Sequence, residues 1–154
     1  MKFSNLFTAV FAFSGVAVSF DANVLLALVN QQRQLVGAPA LTMDPRLTLA
    51  AERHTIFQAT IHEMTHDEPG RTLGQRISET GYVWSNIGEN VAAGFGDEVS
   101  VMNAWMNSPE HRRNILNPIF TQTGMAYDSQ GSYWTQDFGR PMTLRRRSAR
   151  ISRK

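Results

Sequence analysis

The sequence contains no cysteine, and this absence excludes several kinds of stabilisation and chemistry. Without disulfides the chain must fold around a full hydrophobic core, and its 154 residues suffice for one domain. Zinc bound by thiolates and catalysis by a thiol nucleophile are likewise excluded. The sequence also lacks a G-x-S-x-G motif and a glycine-rich phosphate loop. It therefore gives no support for a serine hydrolase of that type or for a phosphate-binding loop.

The chain has only one long apolar run, at its beginning. Residues 6–18 read LFTAVFAFSGVAV, which is too short to cross a bilayer, and a single positive charge at Lys2 precedes them. Ala17 and Ser19 have the small side chains found at the −3 and −1 positions of a cleavage site. We therefore expect residues 1–19 to be a secretory signal peptide and the product to be secreted and extracellular, with no stable membrane span. The alternative is an uncleaved N-terminal anchor.

Positive charge is scarce outside the last ten residues. Residues 145–154, RRRSARISRK, hold six of the fifteen basic residues, whereas residues 20–144 hold eight arginines and thirteen acidic residues, a net charge of −5. A basic patch on the folded domain is not indicated, so nucleic acid is not expected as a partner. We interpret residues 145–154 as a basic disordered tail, which either touches anionic surfaces or is simply solvated.

Apolar residues at helical spacing predict a first helix over residues 21–37. Asp21 is a candidate N-cap and Gly37 a candidate stop. We expect the buried side of this helix to contain Val24, Leu25, Leu28 and Leu35.

A second helix is predicted over residues 44–64, with Asp44 as N-cap and Pro45 at the first helical position. Residues 67–70, DEPG, are expected to end it. His54 falls on its apolar side, where a core histidine satisfied by hydrogen bonds is expected rather than a ligand.

The rest of the chain predicts shorter elements. Thr72 and Gln75 form a capping box for a short helix that Gly81 ends. Residues 85–94 are interpreted as a loop or short strand, and residues 97–108 and 108–116 as two helices. Residues 124–139 are interpreted as a β-hairpin around a DSQG turn. Helices flanking a small, mostly antiparallel strand set predict a layered α+β domain.

Residues 62–66 read HEMTH, which is the H-E-x-x-H pattern of zinc metalloproteases. On one helix, His62 and His66 would share a face and bind Zn²⁺, and Glu63 would act as general base. However, Pro69 disfavours helical geometry soon after His66, and no third ligand follows at the expected spacing. The alternative is that His62 and Glu63 are solvent-facing residues near a helix end and complete the pattern by coincidence.

Several other segments, in order along the chain, form a more specific pattern. They read LLALVNQQRQLVGAPALTMDPRLTLAAERH, THDEPGRTLGQRI, GYVWSNIGENVAAG, WMNSPEHRRNIL and YWTQDFG. Over roughly residues 22–140 they resemble the superfamily of cysteine-rich secretory proteins, antigen 5 and plant pathogenesis-related class 1 proteins, the CAP or SCP domain. The likeness is to the cysteine-free members of bacteria and some fungi. It implies a three-layer α-β-α sandwich over residues 20–144, secreted and monomeric or weakly dimeric.

The resemblance also implies an open cleft that holds two His and two Glu, which can bind a divalent metal. His66 matches the first His of this set and Glu89 matches the first Glu. The position of the second Glu, three residues after Trp105, is Ser108 here, and the second His is replaced by Tyr133. Two of the four family residues are therefore present.

A different set of side chains could replace the family's tetrad. His111 follows the helix that would carry the missing Glu, and one helical turn could bring it into the same cleft. His66, Glu89 and His111 would then form a polar cluster, with Tyr133 and Gln136 nearby. Such a cluster could bind Zn²⁺ or another divalent cation. The alternative is that its members only bond one another and the backbone.

The leading functional expectation is a non-catalytic binding module with no catalytic residue. The family resemblance implies a small apolar ligand, a lipid or a sterol, or a role in host–microbe or defence interactions. The disulfide-tied loop associated with sterol binding in fungal relatives is absent here. The alternative is a metal-dependent hydrolase or peptidase that uses HEMTH or the cluster of His66, Glu89 and His111. A third interpretation is an envelope-associated protein held by the basic tail.

Overall fold

The computed structural model describes residues 20–143, which form five helices and four strands. The helices are α1 (Ala22–Leu35), α2 (Pro45–Ile61), α3 (Leu73–Ser78), α4 (Glu98–Asn107) and α5 (Pro109–Leu116). The strands are β1 (Thr42–Met43), β2 (Trp84–Ala93), β3 (Gln122–Asp128) and β4 (Tyr133–Pro141). The predicted signal peptide (1–19), the predicted tail (145–154) and Leu144 lie outside the described residues.

The four strands form one sheet in the order β1-β3-β4-β2. The short strand β1 runs parallel to β3, whereas β3 with β4 and β4 with β2 are antiparallel. The predicted hairpin is therefore confirmed as the pair β3–β4. One register is important below, because Glu89 of β2 lies directly opposite Asp137 of β4.

Helices cover both faces of the sheet, so the predicted α+β, three-layer α-β-α architecture is confirmed. The main core joins α1, α4 and α5 to one face and contains Leu25, Val29, Val101, Trp105, Ile115, Met125, Trp134 and Phe138. A smaller core beside α2 contains Leu47, Ala50, Ile77 and Tyr82. At Gly124 the backbone of β3 meets α2 so closely that a Cβ would collide with the backbone of Leu47 and Thr48. Glycine is therefore required there.

The interpretation of residues 85–94 as a loop or short strand underestimates this segment. It forms most of β2, a ten-residue strand at one edge of the sheet. Glu89 and Asn90 are its buried polar residues, and α5 supplies partners for both. Asn114 Nδ2 donates to the Glu89 carbonyl at 3.0 Å and to Asn90 Oδ1 at 2.9 Å. The first of these bonds also occupies one backbone carbonyl of this edge strand, which would otherwise be open to pairing with another strand.

The expected buried side of α1 is partly wrong. Val24 and Leu35 are 44% and 75% exposed, and the fully covered residues are Leu25, Val29 and Arg33, which recur every four positions. An arginine takes part in this row because the loops beside it supply carbonyl acceptors. No helix within residues 20–143 is both long enough and apolar enough to span a bilayer.

Candidate functional site

An open cleft of about 1070 Å³ lies between the end of α2, the segment 62–72 and α3. Phe57, Ile61 and Leu73 form its apolar wall. His66 and Glu89 are among the polar groups that line it. The helix α2, the start of α3 and strand β2 thus converge on one concave surface.

The cleft exists because α2 ends earlier than the sequence suggests. The predicted helix reaches residue 64, but α2 ends at Ile61, and His62 adopts a left-handed conformation with φ of 54°. The chain then turns back through Gly70, which has φ of 76° and suits a residue without a Cβ. The predicted capping box of Thr72 and Gln75 is confirmed and starts α3.

Glu89 is the centre of a dense hydrogen-bond network at the base of the cleft. Its side chain is buried, and both of its oxygens accept hydrogen bonds from Arg76, at 2.8 and 3.1 Å. His66 Nδ1 lies 2.8 Å from Glu89 Oε1. The two-pronged contact with a guanidinium is the strongest form of this ion pair and fixes the carboxylate in one orientation.

The network shifts the pKa values of its members. Burial alone would raise the pKa of Glu89, but hydrogen bonds from His66 and Arg76 outweigh it and lower the pKa. The hydrogen bond with Glu89 raises the pKa of His66, although partial burial opposes this shift. Both shifts favour a carboxylate at Glu89 and a protonated imidazole at His66.

A second histidine supports the network from the α2 side. His54 is fully buried, with Nδ1 2.7 Å from Glu68 Oε1 and Nε2 2.8 Å from the Thr65 carbonyl. A carbonyl oxygen can only accept, so Nε2 carries a proton. The prediction of a core histidine satisfied by hydrogen bonds is confirmed. His54 positions the segment that carries Thr65 and His66.

Asp137 lies behind Glu89 and is fully buried. Neither of its side-chain oxygens has a hydrogen-bond partner among residues 20–143. Burial, and then the adjacent charge of Glu89, raises the pKa of Asp137 well above the usual range of an aspartate. A proton on Asp137 would let its carboxyl donate to Glu89, so one carboxylate and one carboxylic acid occupy this position of the sheet.

The metalloprotease interpretation of HEMTH requires both histidines on one helix, and this requirement is not met. Only the beginning of the motif touches α2, since His62 is its C-cap. His62 lines a separate depression with Asp128 and Gln130, whereas His66 lines the cleft. The two imidazoles therefore belong to different surfaces.

The predicted cluster of His66, Glu89 and His111 is assembled only in part. His66 and Glu89 are bonded, and the charge of His66 adds to burial in lowering the pKa of His111. Within residues 20–143 no three His, Asp or Glu side chains are arranged to hold a metal ion. Arg76 occupies both oxygens of Glu89, and its fixed positive charge would repel a cation. The residues present do not fit a divalent metal.

The other predicted cleft residues do not line this cleft. Ser108 joins α4 to α5 and makes no side-chain cap bond. Tyr133 pairs with Ala93 at the far end of β4, four residues from Asp137. Gln136 alternates with Asp137 along β4 and so points to the opposite face of the sheet.

Sequence reasoning missed Arg76, Glu68 and Asp137 as members of this site. A signal existed for Asp137, because it is a charged residue in an apolar, aromatic strand and must be paired or neutral there. Nothing local distinguishes Arg76, on a short helix, from an exposed arginine. Its role depends on the direction in which α3 packs.

The comparisons with known proteins agree with this fold. Residues 26–138 match the cysteine-rich secretory protein family, CAP. The chain is 35% identical over 125 residues to the uncharacterized protein YkwD of Bacillus subtilis (strain 168), which covers 79% of this chain and 48% of that protein. It is 33% identical over 115 residues to the uncharacterized membrane protein YlbC of the same strain, covering 74% and 33%. The chain thus spans about half or less of these relatives.

Solved structures give the same result. An extracellular protein containing an SCP domain from Bacillus anthracis str. Ames has a TM-score of 0.73 and 31% identity, covering 77% of this chain and 39% of that one. An outer surface protein of Borrelia burgdorferi has a TM-score of 0.73 at 24% identity, covering 78% and 92%, and shows the fold alone. The chain belongs to the cysteine-rich secretory protein (CAP) family, as a member without cysteine.

Proposed function

We propose that this chain is a secreted, non-catalytic binding module whose cleft takes a small amphipathic ligand. The observation that carries the proposal is the engagement of Glu89. Both oxygens of this buried carboxylate are bonded to Arg76, and one also contacts His66. A general base must be within reach of the proton that it removes and free to take it. The extracellular SCP-domain protein among the structural relatives supports secretion.

The shape of the cleft supports a ligand of lipid size. Its volume of about 1070 Å³ is at the upper end of small-molecule sites. Phe57, Ile61 and Leu73 offer an apolar wall on one side. The pair His66–Glu89 offers hydrogen-bonding groups on the other. A ligand with an apolar body and one small polar end matches both parts.

The charges of the cleft favour a neutral polar end over an anionic one. Four carboxylates line the cleft, namely those of Glu63, Asp67, Glu68 and Glu89. The positive charges that line it are those of Arg71 and of protonated His66. A fatty-acid carboxylate would meet net repulsion there. A sterol or another lipid with a single hydroxyl avoids this repulsion.

Such a module would act outside the cell, in host–microbe or defence interactions. The monomeric or weakly dimeric state stays a prediction.

Two isoleucines on α2 provide a matched test. Ile61 lines the cleft, whereas Ile56 lines two separate depressions, and both are exposed, at 42% and 59%. We expect Ile61→Ser to weaken binding of a fluorescent sterol by about tenfold, which corresponds to ~1.4 kcal/mol of lost apolar contact. Ile56→Ser should leave the Kd unchanged. Equal effects of the two substitutions would show that the sterol does not use the cleft.

The hydrolase alternative is tested by the metal content of the same protein. The proposal expects no stoichiometric zinc at micromolar zinc concentrations. Zinc bound by the wild type and lost in His111→Ala would place a metal beside His66 and make hydrolysis the better hypothesis. Zinc lost only in His62→Ala would restore the HEMTH interpretation.

A further inference from the structure

We propose that the basic segment 145–154 binds in the cleft of its own chain and occupies it when no other ligand is present. This inference deepens the proposed function, since it assigns a cationic occupant to the same cleft. Three features carry it: the charge of the cleft, the place where the chain leaves the fold, and the covalent link between the two.

The charges of the two partners are complementary. The cleft presents two exposed carboxylates, Glu63 and Asp67, that have no ion-pair partner among residues 20–143. Glu68 and Glu89 add negative charge from below, although Arg71 and Arg76 offset them and protonated His66 adds one positive charge. The segment 145–154 carries five arginines, one lysine and no acidic residue. It is the most cationic part of the sequence, joined to a domain whose net charge is −5.

The chain leaves the fold beside the cleft. Met142 N bonds to the Val83 carbonyl at 2.9 Å, and the neighbouring Trp84 ring packs against Gly74 of α3. Leu73 and Gln75, which flank Gly74, line the cleft. The helix α3 has six residues and is therefore about 9 Å long. Ten extended residues reach about 33 Å, so the segment can cross α3 and enter the cleft.

The covalent link compensates for the weakness of exposed ion pairs. Each exposed pair contributes little by itself. However, a short linker holds the segment at an effective concentration in the millimolar range, which makes a weak contact sufficient for occupancy. An anionic membrane would have to recruit the same segment away from the carboxylates of its own domain. The geometry therefore favours the intramolecular contact over a surface outside the chain.

The absence of native cysteine allows a direct test. Ser148→Cys in the chain from Phe20 to Lys154 creates a single thiol and leaves all six basic residues in place, so that a nitroxide label can be attached within the segment. We expect the label to broaden amide NMR signals of residues 63–75 and to spare residues 126–130. The broadening should be lost in the double variant Glu63→Gln/Asp67→Asn and at high salt.

The matched control is the double variant Glu52→Gln/Asp128→Asn. These acidic residues line a separate depression, and their substitution removes the same amount of negative charge from the chain. Broadening that persists in this control and disappears in the cleft variant supports the proposal. Broadening that is uniform, absent or unchanged in the cleft variant overturns it. Broadening that also appears when spin-labelled chains are mixed with separate isotope-enriched chains overturns it too, because the contact is then between molecules.

Two further measurements separate this inference from the proposed function. Phosphatidylserine vesicles should not remove the broadening at physiological salt, and removal of it there would show that the segment prefers a membrane. A sterol that binds the cleft should remove the broadening in proportion to its occupancy. If the sterol binds and no broadening was present before it was added, the self-binding fails while the lipid function stands. If broadening is present and no sterol binds, the reverse holds.

Discussion

Among residues 20–143, two arginines are almost completely buried, Arg33 at 0% and Arg76 at 3% exposure, and their partners differ in kind. Arg33 donates only to backbone carbonyls. Arg76 donates to a carboxylate and one carbonyl beside an open cleft. One arginine therefore serves the fold, and the other holds the charge of the candidate site.

Arg33 closes the far side of the main core. Its guanidinium donates to four carbonyls between 2.6 and 3.0 Å away, those of Pro39, Ile115, Asn117 and Phe120. Two of these belong to the end of α5 and the residue after it, where carbonyls lack partners within the helix. No carboxylate of residues 20–143 lies within ion-pair distance of Arg33, and burial lowers its pKa. Oriented carbonyl dipoles replace the counter-ion.

Arg76 supplies the positive charge that balances Glu89 at the base of the cleft. It neutralises Glu89 and also bonds to the His66 carbonyl at 3.1 Å, so that the cleft segment and strand β2 are tied together. Burial alone would lower the pKa of Arg76, but the contacts with Glu89 raise it. The difference from Arg33 is that the partners of Arg76 are themselves titratable. The contacts of Arg76 should therefore respond to pH, whereas the carbonyl partners of Arg33 do not titrate.

The largest expected effect is that of Arg33→Met. The substitution leaves four carbonyls without donors, two of them in fully buried bonds. Each buried unsatisfied group costs about 1–3 kcal/mol, so we expect a loss of roughly 4–5 kcal/mol in the free energy of unfolding. Urea denaturation measures it, with the exposed Arg53→Met as control. A loss near 1 kcal/mol would contradict the conclusion that Arg33 stabilises the fold by satisfying these four carbonyls.

Arg76→Met comes second, with an expected loss of about 3 kcal/mol, at the low end for a broken buried ion pair. The loss is moderated because Glu89 keeps His66 and can take up a proton. The double variant Arg76→Met/Glu89→Gln removes the uncompensated carboxylate and should be about 1–2 kcal/mol more stable than Arg76→Met alone. Simple additivity of the two substitutions would mean that the pair does not act as a unit.

Asp137 gives the third prediction, a stability that falls as pH rises. The raised pKa of Asp137 means that the folded state holds a proton that the unfolded chain releases near pH 3.9. Its contribution is fully present below that pH and declines up to the folded pKa, by at most about 1.4 kcal/mol per pH unit. Asp137→Asn should flatten this part of the stability curve.

The sign of this effect distinguishes Asp137 from the other carboxylates. The lowered pKa values of Glu89 and Asp44 make their contributions disappear as pH falls below about 4, not as it rises. Urea titrations between pH 4 and 8 therefore report on Asp137 and, above about pH 6.5, on His66. The lowered pKa of His111 adds a slope of opposite sign below about pH 6.5, so the difference between the wild type and Asp137→Asn isolates Asp137. A slope that is the same in Asp137→Asn and in the wild type would assign it to another group.

Much of the fold was accessible from the sequence because local rules decide it. Asp44 with Pro45 begins α2, and Thr72 with Gln75 begins α3, as capping chemistry requires. The motif order also identified the family and placed His66 and Glu89 together. The end of α2 was not accessible in this way, since His62 adopts a left-handed conformation that favours glycine or asparagine.

The charge network of the site depends on long-range register. Glu89 and Asp137 are 48 positions apart and meet only because β2 pairs with β4 in one register. Arg76 is buried because Ile77 of α3 packs inward with Leu47, Ala50 and Tyr82, which no local pattern specifies. The placement of Gln136 depends on the same strand. Its neighbour Asp137 points toward Glu89, so Gln136 must point away.

The smallest effect on stability, and the sharpest on the cleft, is expected from His66→Gln. The His66 side chain is 53% exposed, so solvent screens its ion pair with Glu89 and its loss should cost less than about 1 kcal/mol. Its raised pKa makes even this contribution vanish as pH rises through the folded pKa. Sterol binding should weaken about threefold to tenfold, the equivalent of one hydrogen bond.

His62→Gln provides the matched control, because this exposed histidine has the same chemistry but lines a different depression. It should not change the sterol Kd. If His62→Gln and His66→Gln weaken binding equally, the ligand lies outside the cleft. The role of Arg76 in the candidate site, as distinct from the purely structural role of Arg33, would then be wrong. If only His66→Gln does so, with stability nearly unchanged, then the charge held by Arg76 and Glu89 serves recognition and not folding alone.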